Sequence, residues 1–222
     1  MDPLKIDTVK LSDAGDALVI IDQTLLPNEV RYLSLTAIED IWEAIRALRV
    51  RGAPAIGVAA AFGAYLAAYY APDAELEGRF LAACDYLATS RPTAVNLFWA
   101  LDRMRAAYGR VKALPPADIR AALRAEALMD EDIEISRSIG RYGLSLLRPG
   151  MGILTHCNAG TLATAKYGTA LAPVYAAIER GLPGLRVYCD ETRPLLQGAR
   201  LSAFEMVSAG VDTTLLCDNM AS

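Results

Sequence analysis

Three stretches in the last third of the chain decide its fold: Gly152–Gly160, GILTHCNAG; Leu185–Pro194, LRVYCDETRP; and Thr213–Ala221, TTLLCDNMA. Each starts with a short apolar run, which is typical of a buried strand. Each run then passes into a cluster of polar residues, which indicates a loop at the end of the strand. The sequence therefore predicts three strands of one sheet, each followed by a polar loop.

The segments between these strands predict helices at 169–180 and 199–209, each ending at a glycine. Strand, helix, strand, helix, strand is the order of a parallel sheet, because a crossover helix returns the chain to the same end of the sheet. The crossovers should be right-handed. We therefore predict a Rossmann-like βαβαβ domain over residues 149–222. We expect this domain to be incomplete, because a sheet of three parallel strands leaves an apolar edge and one face uncovered.

Residues 1–148 predict a different domain, a small β element followed by a helical bundle. Strand patterns fill residues 5–35, as KIDTVKL, ALVIIDQTLL and EVRYLSL. Thr36 and Glu39 form a capping-box pattern ahead of an amphipathic helix, and Pro54 suits the first turn of the next one. Further helices are predicted at 73–89, 93–108 and 117–147. The fold class is therefore α/β, with a domain boundary near residue 148.

Composition and charge exclude several kinds of partner. The chain has 54% hydrophobic and 22% charged residues and a formal net charge of −4 at pH 7, which suits a soluble globular protein. Since no global positive field would attract nucleic acid or an anionic membrane, we predict neither as a partner. The run 57–71 is shorter than the roughly 18 to 20 residues that span a bilayer. No secretory leader is evident in MDPLKIDTVK, so we expect a cytoplasmic protein.

Metal and nucleotide cofactors are not predicted either. The four cysteines form no CxxC pair, and the chain has a single histidine, which excludes multi-histidine metal sites. This cysteine pattern fits reduced cytoplasmic thiols. No Gly-x-Gly-x-x-Gly follows the first parallel strand and no P-loop is present, so we expect neither NAD nor FAD.

Cys157 is the best candidate for acid/base chemistry, because ligands of an open parallel sheet bind beyond the carboxyl ends of its strands. Loop amides or a helix start at this position would stabilise a thiolate. A pair with His156 is not expected, because adjacent strand residues point to opposite faces. The alternative is a small buried residue, the more frequent role of a lone cysteine. We assign that buried role to Cys84, Cys189 and Cys217.

Other polar residues of the strand-end clusters are candidates for the pocket wall: Asn158, Gly160, Asp218 and Asn219. The alternative for each cluster is a loop that is merely rich in turn-forming residues.

Two arginines precede predicted helices, where free amides and the helix dipole favour anions. Arg51 and Gly52 come directly before the helix that contains Pro54, and Arg91 precedes the helix that contains Asn96. Such placement suits a phosphate ligand. The alternative is two solvated loop arginines.

Five motifs together resemble the methylthioribose-1-phosphate isomerase family: VRGAPAIGVAAAFG, SRPTAVNLFWALDRM, ILTHCNAGTLAT, DETRPLLQGARLSAFEM and CDNMA. They occur in the family's order, and the resemblance covers nearly the whole chain. The family shares its fold with ribose-1,5-bisphosphate isomerase. It also shares it with the regulatory α, β and δ subunits of the eukaryotic exchange factor for translation initiation.

The resemblance implies an aldose–ketose isomerisation in methionine salvage, from 5-methylthioribose 1-phosphate to 5-methylthioribulose 1-phosphate. The anomeric phosphate blocks spontaneous ring opening, so an acid must assist cleavage of the ring C–O bond before hydrogen moves between C2 and C1, as a proton or as a hydride. The resemblance implies no metal or organic cofactor and a homodimer at full length. It makes Cys157 one member of an acid/base pair and implies these substrate-binding residues: Arg51, Gly52, Ala53, Arg91 and Gln197.

The same resemblance places the partner aspartate in a Gly-Ala-Asp motif after the next strand, followed by an Asn-Lys pair, and neither occurs before Ser222. Asp218 belongs to the CDNMA motif and is not that aspartate. We therefore expect an N-terminal fragment that is inactive alone. We also expect Cys157, Gln197 and Asp218 to converge at one sheet edge and to face both arginines across a cleft.

Two alternatives stay open. One is an isomerase of another 5-substituted ribose 1-phosphate or of ribose 1,5-bisphosphate. The other is a non-catalytic regulatory subunit of the translation exchange-factor type, which would not need Cys157.

Overall fold

The computed structural model describes residues 6–127 and 129–221, which form two compact units. The helical unit holds Val9–Thr24 and Arg31–Asp130. Among the described residues, the parallel-sheet unit holds 6–8, the segment Leu25–Val30 and 131–221. The predicted domain boundary near residue 148 stays a prediction, since these units divide the chain at Asp130 and exchange two short N-terminal segments.

The helical unit begins with a small antiparallel sheet of β1 (Val9–Leu11), β2 (Leu18–Ile21) and β3 (Tyr32–Leu35). β2 lies in the middle of this sheet and pairs with both neighbours. The three strands confirm the predicted β element and are shorter than the patterns that predicted them. Lys5, the first residue of the predicted KIDTVKL strand, lies outside the described residues.

Five helices complete this unit: α1 (Ile38–Arg46), α2 (Ala53–Tyr70), α3 (Leu76–Ala88), α4 (Val95–Val111) and α5 (Pro116–Glu126). α2 is the central one, and small residues let its neighbours approach closely. A Cβ added at Gly63 would lie 3.0 Å from Leu87 of α3 and 3.2 Å from Ile41 of α1. By length and composition α2 could also cross a membrane, but 72% of it is buried inside the protein. Its packing accounts for its apolar composition.

Two details of the predicted helices are wrong. The residue that caps α1 is Ala37, without a side-chain cap, so Thr36 and Glu39 do not form the predicted capping box. The single helix predicted at 117–147 is two helices, α5 and α6 (Met129–Gly143). The intervening residues are strong helix formers, so no local signal marks the break. Its cause is tertiary, because α5 buries apolar residues in the helical unit, whereas most of α6 belongs to the parallel-sheet unit.

The parallel-sheet unit contains β4 (Gly152–Thr155), β5 (Arg186–Asp190) and β6 (Asp212–Leu216) in that spatial order. Both pairings are parallel, which confirms the predicted fold. α7 (Ala172–Glu179) follows β4. After β5, a π-helical turn at Gly198–Ser202 continues into α8 (Ala203–Ser208).

The core of this unit lies between the sheet and its two crossover helices, and its fully buried side chains are Leu171, Val174, Tyr175, Val187, Cys189 and Met206. The opposite sheet face and the β6 edge are more open. Leu154 is 53% exposed and Leu215 is 52% exposed. All carboxyl ends of the strands point to one edge, where the predicted polar loops begin.

Candidate functional site

Cys157 is the second residue after β4, exposed to solvent and held by contacts from two other segments. Its backbone amide donates to Thr192 Oγ1 at 2.9 Å, and its carbonyl accepts from Ser202 Oγ at 2.8 Å. Gln197 Nε2 donates to the sulfur at 3.5 Å. The backbone adopts the left-handed region at φ 69°, which is costly for a residue with a Cβ. The surrounding loops therefore impose the position of the thiol.

His156 does not pair with Cys157. Its Nδ1 lies 3.0 Å from Oδ2 of Asp190, the last residue of β5. The two adjacent side chains have different partners, as predicted, although both residues lie beyond the end of β4 and strand alternation is not the cause. The Asp190 side chain is almost fully buried, so the imidazole covers a carboxylate at the floor of this edge.

Asp218 closes the same edge from β6. Its carboxylate accepts hydrogen bonds from the backbone amides of Arg193 and Thr192, both at 2.8 Å. These two bonds hold the pKa of Asp218 below its ordinary value. Asp218 therefore shapes the loop after β5 as an anion, and through Thr192 this loop contacts Cys157. Asn219 follows in a short 3₁₀ turn and is exposed.

Several buried polar atoms beside Cys157 have no hydrogen-bond partner in the described part of the chain. They are both polar side-chain atoms of Asn158, Oδ1 of Asp190 and Oε1 of Gln197. Buried polar groups in native proteins are nearly always hydrogen-bonded, and an unpaired one costs about 1–3 kcal/mol. Asn158 follows Cys157 in the chain, and Gln197 donates to the Cys157 sulfur. Asp190 contacts His156, the residue before Cys157. A hydroxyl-rich ligand at this edge would supply the missing partners.

The loop after Cys157 is tied to a fully buried carboxylate that the sequence did not single out. Glu205 of α8 accepts from the amides of Thr161 at 2.6 Å and Leu162 at 3.1 Å, and from the Tyr175 hydroxyl at 2.7 Å. Burial raises the pKa of Glu205 to about 7, against the opposing effect of these hydrogen bonds. A Cβ at Gly160 would overlap Glu205 Oε2. Gly160, a predicted pocket residue, therefore serves to admit this carboxylate.

A glutamate within the apolar run of LSAFEM was the available signal for this contact. It was missed because a polar residue on a short helix is more often exposed than buried.

Arg51 and Gly52 lie directly before α2, which begins at Ala53, as predicted. Gly52 caps the helix at φ 93°, in the left-handed region that favours glycine, and no side chain caps the first turn. Backbone amides at such a start suit an anion.

Arg91 precedes α4, and the first turns of α2 and α4 pack together. A Cβ added at Gly57 would lie 3.2 Å from the Asn96 carbonyl oxygen. Within residues 6–127 and 129–221 the Arg91 guanidinium makes no hydrogen bond or ion pair. The helical unit thus brings the two predicted helix starts to one place.

The structure therefore assembles the predicted residues in two groups. Cys157, Gln197 and Asp218 converge at the carboxyl edge of the parallel sheet, as predicted. Arg51 and Arg91 lie at neighbouring helix starts of the helical unit. That the two groups face each other across a cleft stays a prediction.

The other cysteines divide by exposure. Cys84 and Cys189 are buried, as predicted, and burial raises the pKa of their thiols to about 12 and about 11. The buried role predicted for Cys217 is wrong, because this residue follows the edge strand β6 and is exposed. In the described part of the chain, no three His, Cys, Asp or Glu side chains are grouped to hold a metal ion.

Known proteins are similar to this chain in sequence and in fold. Residues 49–222 match the Initiation factor 2 subunit family. A methylthioribose-1-phosphate isomerase from Symbiobacterium thermophilum is 62% identical, over 99% of this chain and 62% of its own length. A 5-deoxyribose 1-phosphate isomerase from Petrotoga mobilis is 57% identical, over 96% of this chain and 63% of its own.

A crystal structure of 5-methylthioribose 1-phosphate isomerase from Pyrococcus horikoshii OT3 superposes with a TM-score of 0.91 at 39% identity. The match covers 100% of this chain and 64% of that one. The chain thus spans a little less than two thirds of the length of each of these three relatives.

Proposed function

The chain belongs to the Initiation factor 2 subunit family, and from that premise we propose that it supplies the Cys157 side of the active site of an aldose–ketose isomerase. The substrate we propose is 5-methylthioribose 1-phosphate, by similarity to the named relatives. The reaction opens the ribose ring and moves hydrogen between C2 and C1.

One observation carries this proposal. An exposed cysteine, held in a costly backbone conformation, lies among buried polar atoms that lack partners. Asn158, Asp190 and Gln197 together offer donors and acceptors that would match the hydroxyl groups of a sugar. A purely structural loop would leave no reason for so many unpaired polar atoms beside one thiol.

Cys157 is proposed as one member of the acid/base pair. The anomeric phosphate holds the ring closed, so a proton must reach the ring oxygen as the C–O bond breaks. The Gln197 amide, which donates to the sulfur, would orient it. The second member is a carboxylate that the isomerase resemblance places outside these 222 residues.

The phosphate is proposed to bind at the helix starts of the helical unit. Arg51 and Arg91 supply charge, and the uncapped first turn of α2 after Gly52 supplies amides. Ala53, the first residue of α2, contributes its backbone amide to the same proposed phosphate site.

We also propose the finer properties that the isomerase resemblance implies. These are a homodimer, a cytoplasmic location and a domain boundary near residue 148. Sedimentation of the chain extended to the length of its relatives would test the dimer.

The function is tested by extending this chain with the C-terminal residues of the Symbiobacterium thermophilum relative and assaying the chimera on 5-methylthioribose 1-phosphate. Cys157→Ala should lower kcat by about 10²- to 10⁴-fold, the usual contribution of an acid/base group. Cys217→Ala is the matched control, since this thiol is also exposed after a strand of the same sheet but is not among the proposed site residues. Equal turnover by the two variants would contradict the proposal.

The 5-substituent is a separate question, because one of the relatives is named for 5-deoxyribose 1-phosphate. The ratio of kcat/KM for the two substrates decides between them. A chimera that turns over neither compound would favour the regulatory-subunit alternative.

A further inference from the structure

Glu205 has no part in the proposed chemistry, yet it contacts the loop that carries Cys157. It is fully buried, and all three of its described hydrogen bonds come from within the parallel-sheet unit. Two come from loop amides, four and five residues after Cys157. The third comes from Tyr175 of α7, which is itself fully buried.

Three residues of the segment from Gln197 to Glu205 hold the Cys157 loop, at four different atoms. Gln197 donates to the sulfur, Ser202 donates to the Cys157 carbonyl, and Glu205 accepts from the amides of Thr161 and Leu162. A π-helical turn separates the first two of these residues, which are five positions apart. The wider π turn brings positions i and i+5 to one side, and such turns are frequent at functional sites.

We propose that Glu205 is a positioning residue for Cys157, because its carboxylate fixes the Thr161–Leu162 end of the loop and so keeps the sulfur facing Gln197. This rests on the proposed role of Cys157 as a reacting thiol. Its two hydrogen bonds to the loop amides tie the loop to α8, and loss of this contact would let the left-handed backbone at Cys157 relax.

The contact needs a carboxylate rather than an amide. Donors approach both oxygens: Thr161 and Tyr175 approach Oε2, and Leu162 approaches Oε1. A glutamine would turn its NH₂ group toward at least one of these donors and leave it unpaired. Glu205→Gln therefore changes the hydrogen bonding and almost nothing in the volume.

The test is alkylation of the 222-residue chain by iodoacetamide at about pH 8.5, where Glu205 with its pKa of about 7 is ionised, with each cysteine followed by peptide mass spectrometry. In Glu205→Gln, the rate at Cys157 should fall about tenfold relative to Cys217, because the sulfur loses its hydrogen bond from Gln197. Gln197→Ala, which removes that donor directly, should give a similar fall. Glu179→Gln, the same change at an exposed position of α7, is the matched control and should alter neither rate.

An unchanged ratio of the Cys157 and Cys217 rates in Glu205→Gln, with Cys84 and Cys189 still protected, overturns the proposal. Labelling of these two buried thiols would show that the variant is unfolded. Tyr175→Phe then carries the test, since it removes one donor to the carboxylate. A smaller fall at Cys157 supports the proposal, and no fall overturns it.

Alkylation does not depend on the isomerase activity, so the two proposals fail separately. In an active chimera, Glu205→Gln should lower kcat about tenfold or more and leave KM within about twofold, because the loop holds a reacting group rather than the phosphate. An inactive chimera would remove the proposed reaction and leave the alkylation result intact.

Discussion

Cys157 combines an exposed thiol with a backbone conformation that a residue bearing a Cβ rarely adopts, at φ 69°. In native proteins such strain concentrates at functional sites, where the surrounding contacts maintain it. Here those contacts are the hydrogen bonds from Ser202 and Gln197 and the one to Thr192. The backbone conformation of Cys157 therefore lowers the stability of the fold, and these contacts hold it in place.

This strain can be measured. Cys157→Gly should raise the free energy of unfolding by about 1 kcal/mol relative to Cys157→Ala, because glycine adopts the left-handed region without the Cβ penalty. Both variants lose the sulfur and its contact, so their difference isolates the backbone. Urea denaturation gives the two values, and an alanine variant as stable as the glycine variant would contradict the strain.

Glu205 should make stability depend on pH. Its pKa is about 7 in the folded protein against an ordinary 4.5, because burial disfavours the charged form. A raised pKa gives stability that is fully present below about 4.5 and is lost as the pH rises through about 7. The shift corresponds to roughly 3 kcal/mol.

The measurement is the difference in unfolding free energy between the wild type and Glu205→Gln, followed from about pH 5 to pH 8, which cancels the titration of other groups. As the pH rises through about 7, the wild type should lose stability relative to Glu205→Gln. A difference independent of pH would show that the buried carboxylate does not titrate in this range.

At the scale of elements, the π-helical turn at Gly198–Ser202 packs directly on the end of β5. A Cβ added at Gly198 would overlap the Asp190 carbonyl oxygen and lie 2.7 Å from Thr192 Oγ1. The glycine therefore lets the turn approach the strand closely enough for Gln197 and Ser202 to reach Cys157.

Gly198→Ala should accordingly destabilise the protein by about 1–3 kcal/mol, the usual cost of overpacking. Gly109→Ala is the control, because this glycine lies in α4 with no neighbour within 4 Å of an added Cβ. That change should stabilise by up to about 1 kcal/mol through helix propensity. Thermal unfolding of both variants checks the opposite signs, and two changes of the same sign would contradict the close approach.

The elements that the sequence predicted well are those with a local signal. Apolar runs that end in polar clusters, with glycines Gly181 and Gly210 closing the helices, specify β4 to β6 and their crossovers. The break between α5 and α6 has no such signal, because it depends on which core each helix joins. The buried position of Glu205 could not be predicted for the same reason, since its hydrogen-bond partners are distant in sequence.

At the scale of the whole molecule, the described residues supply one member of the proposed acid/base pair. Cys157 is placed and oriented, and the nearest carboxylates already have other partners. Asp218 binds two loop amides, and one oxygen of Asp190 faces His156. The candidate residues named from motifs could be found in the sequence, whereas these pairings required the folded sheet edge.

We therefore predict that the 222-residue chain alone does not isomerise 5-methylthioribose 1-phosphate at a useful rate, because groups that act as a unit fail together. The chimera extended with the relative's C-terminal residues should exceed it by about 10²-fold or more. Both are assayed for ketose formation. Comparable turnover would mean that a carboxylate of this chain serves as the partner, and Asp218→Asn and Asp190→Asn would then identify it.

The interleaving of the two units has a consequence for synthesis on the ribosome. The residues up to Thr8 and the segment Leu25–Val30 emerge first, but the rest of their unit starts only at Glu131. At about 5–20 residues per second, translation of the intervening stretch takes on the order of 5–20 s. Throughout that time the helical unit is being completed, while these early segments lack the rest of the unit on which they pack. Thr8, whose hydroxyl finally donates to the Thr161 carbonyl, must wait for a partner translated more than half a chain later.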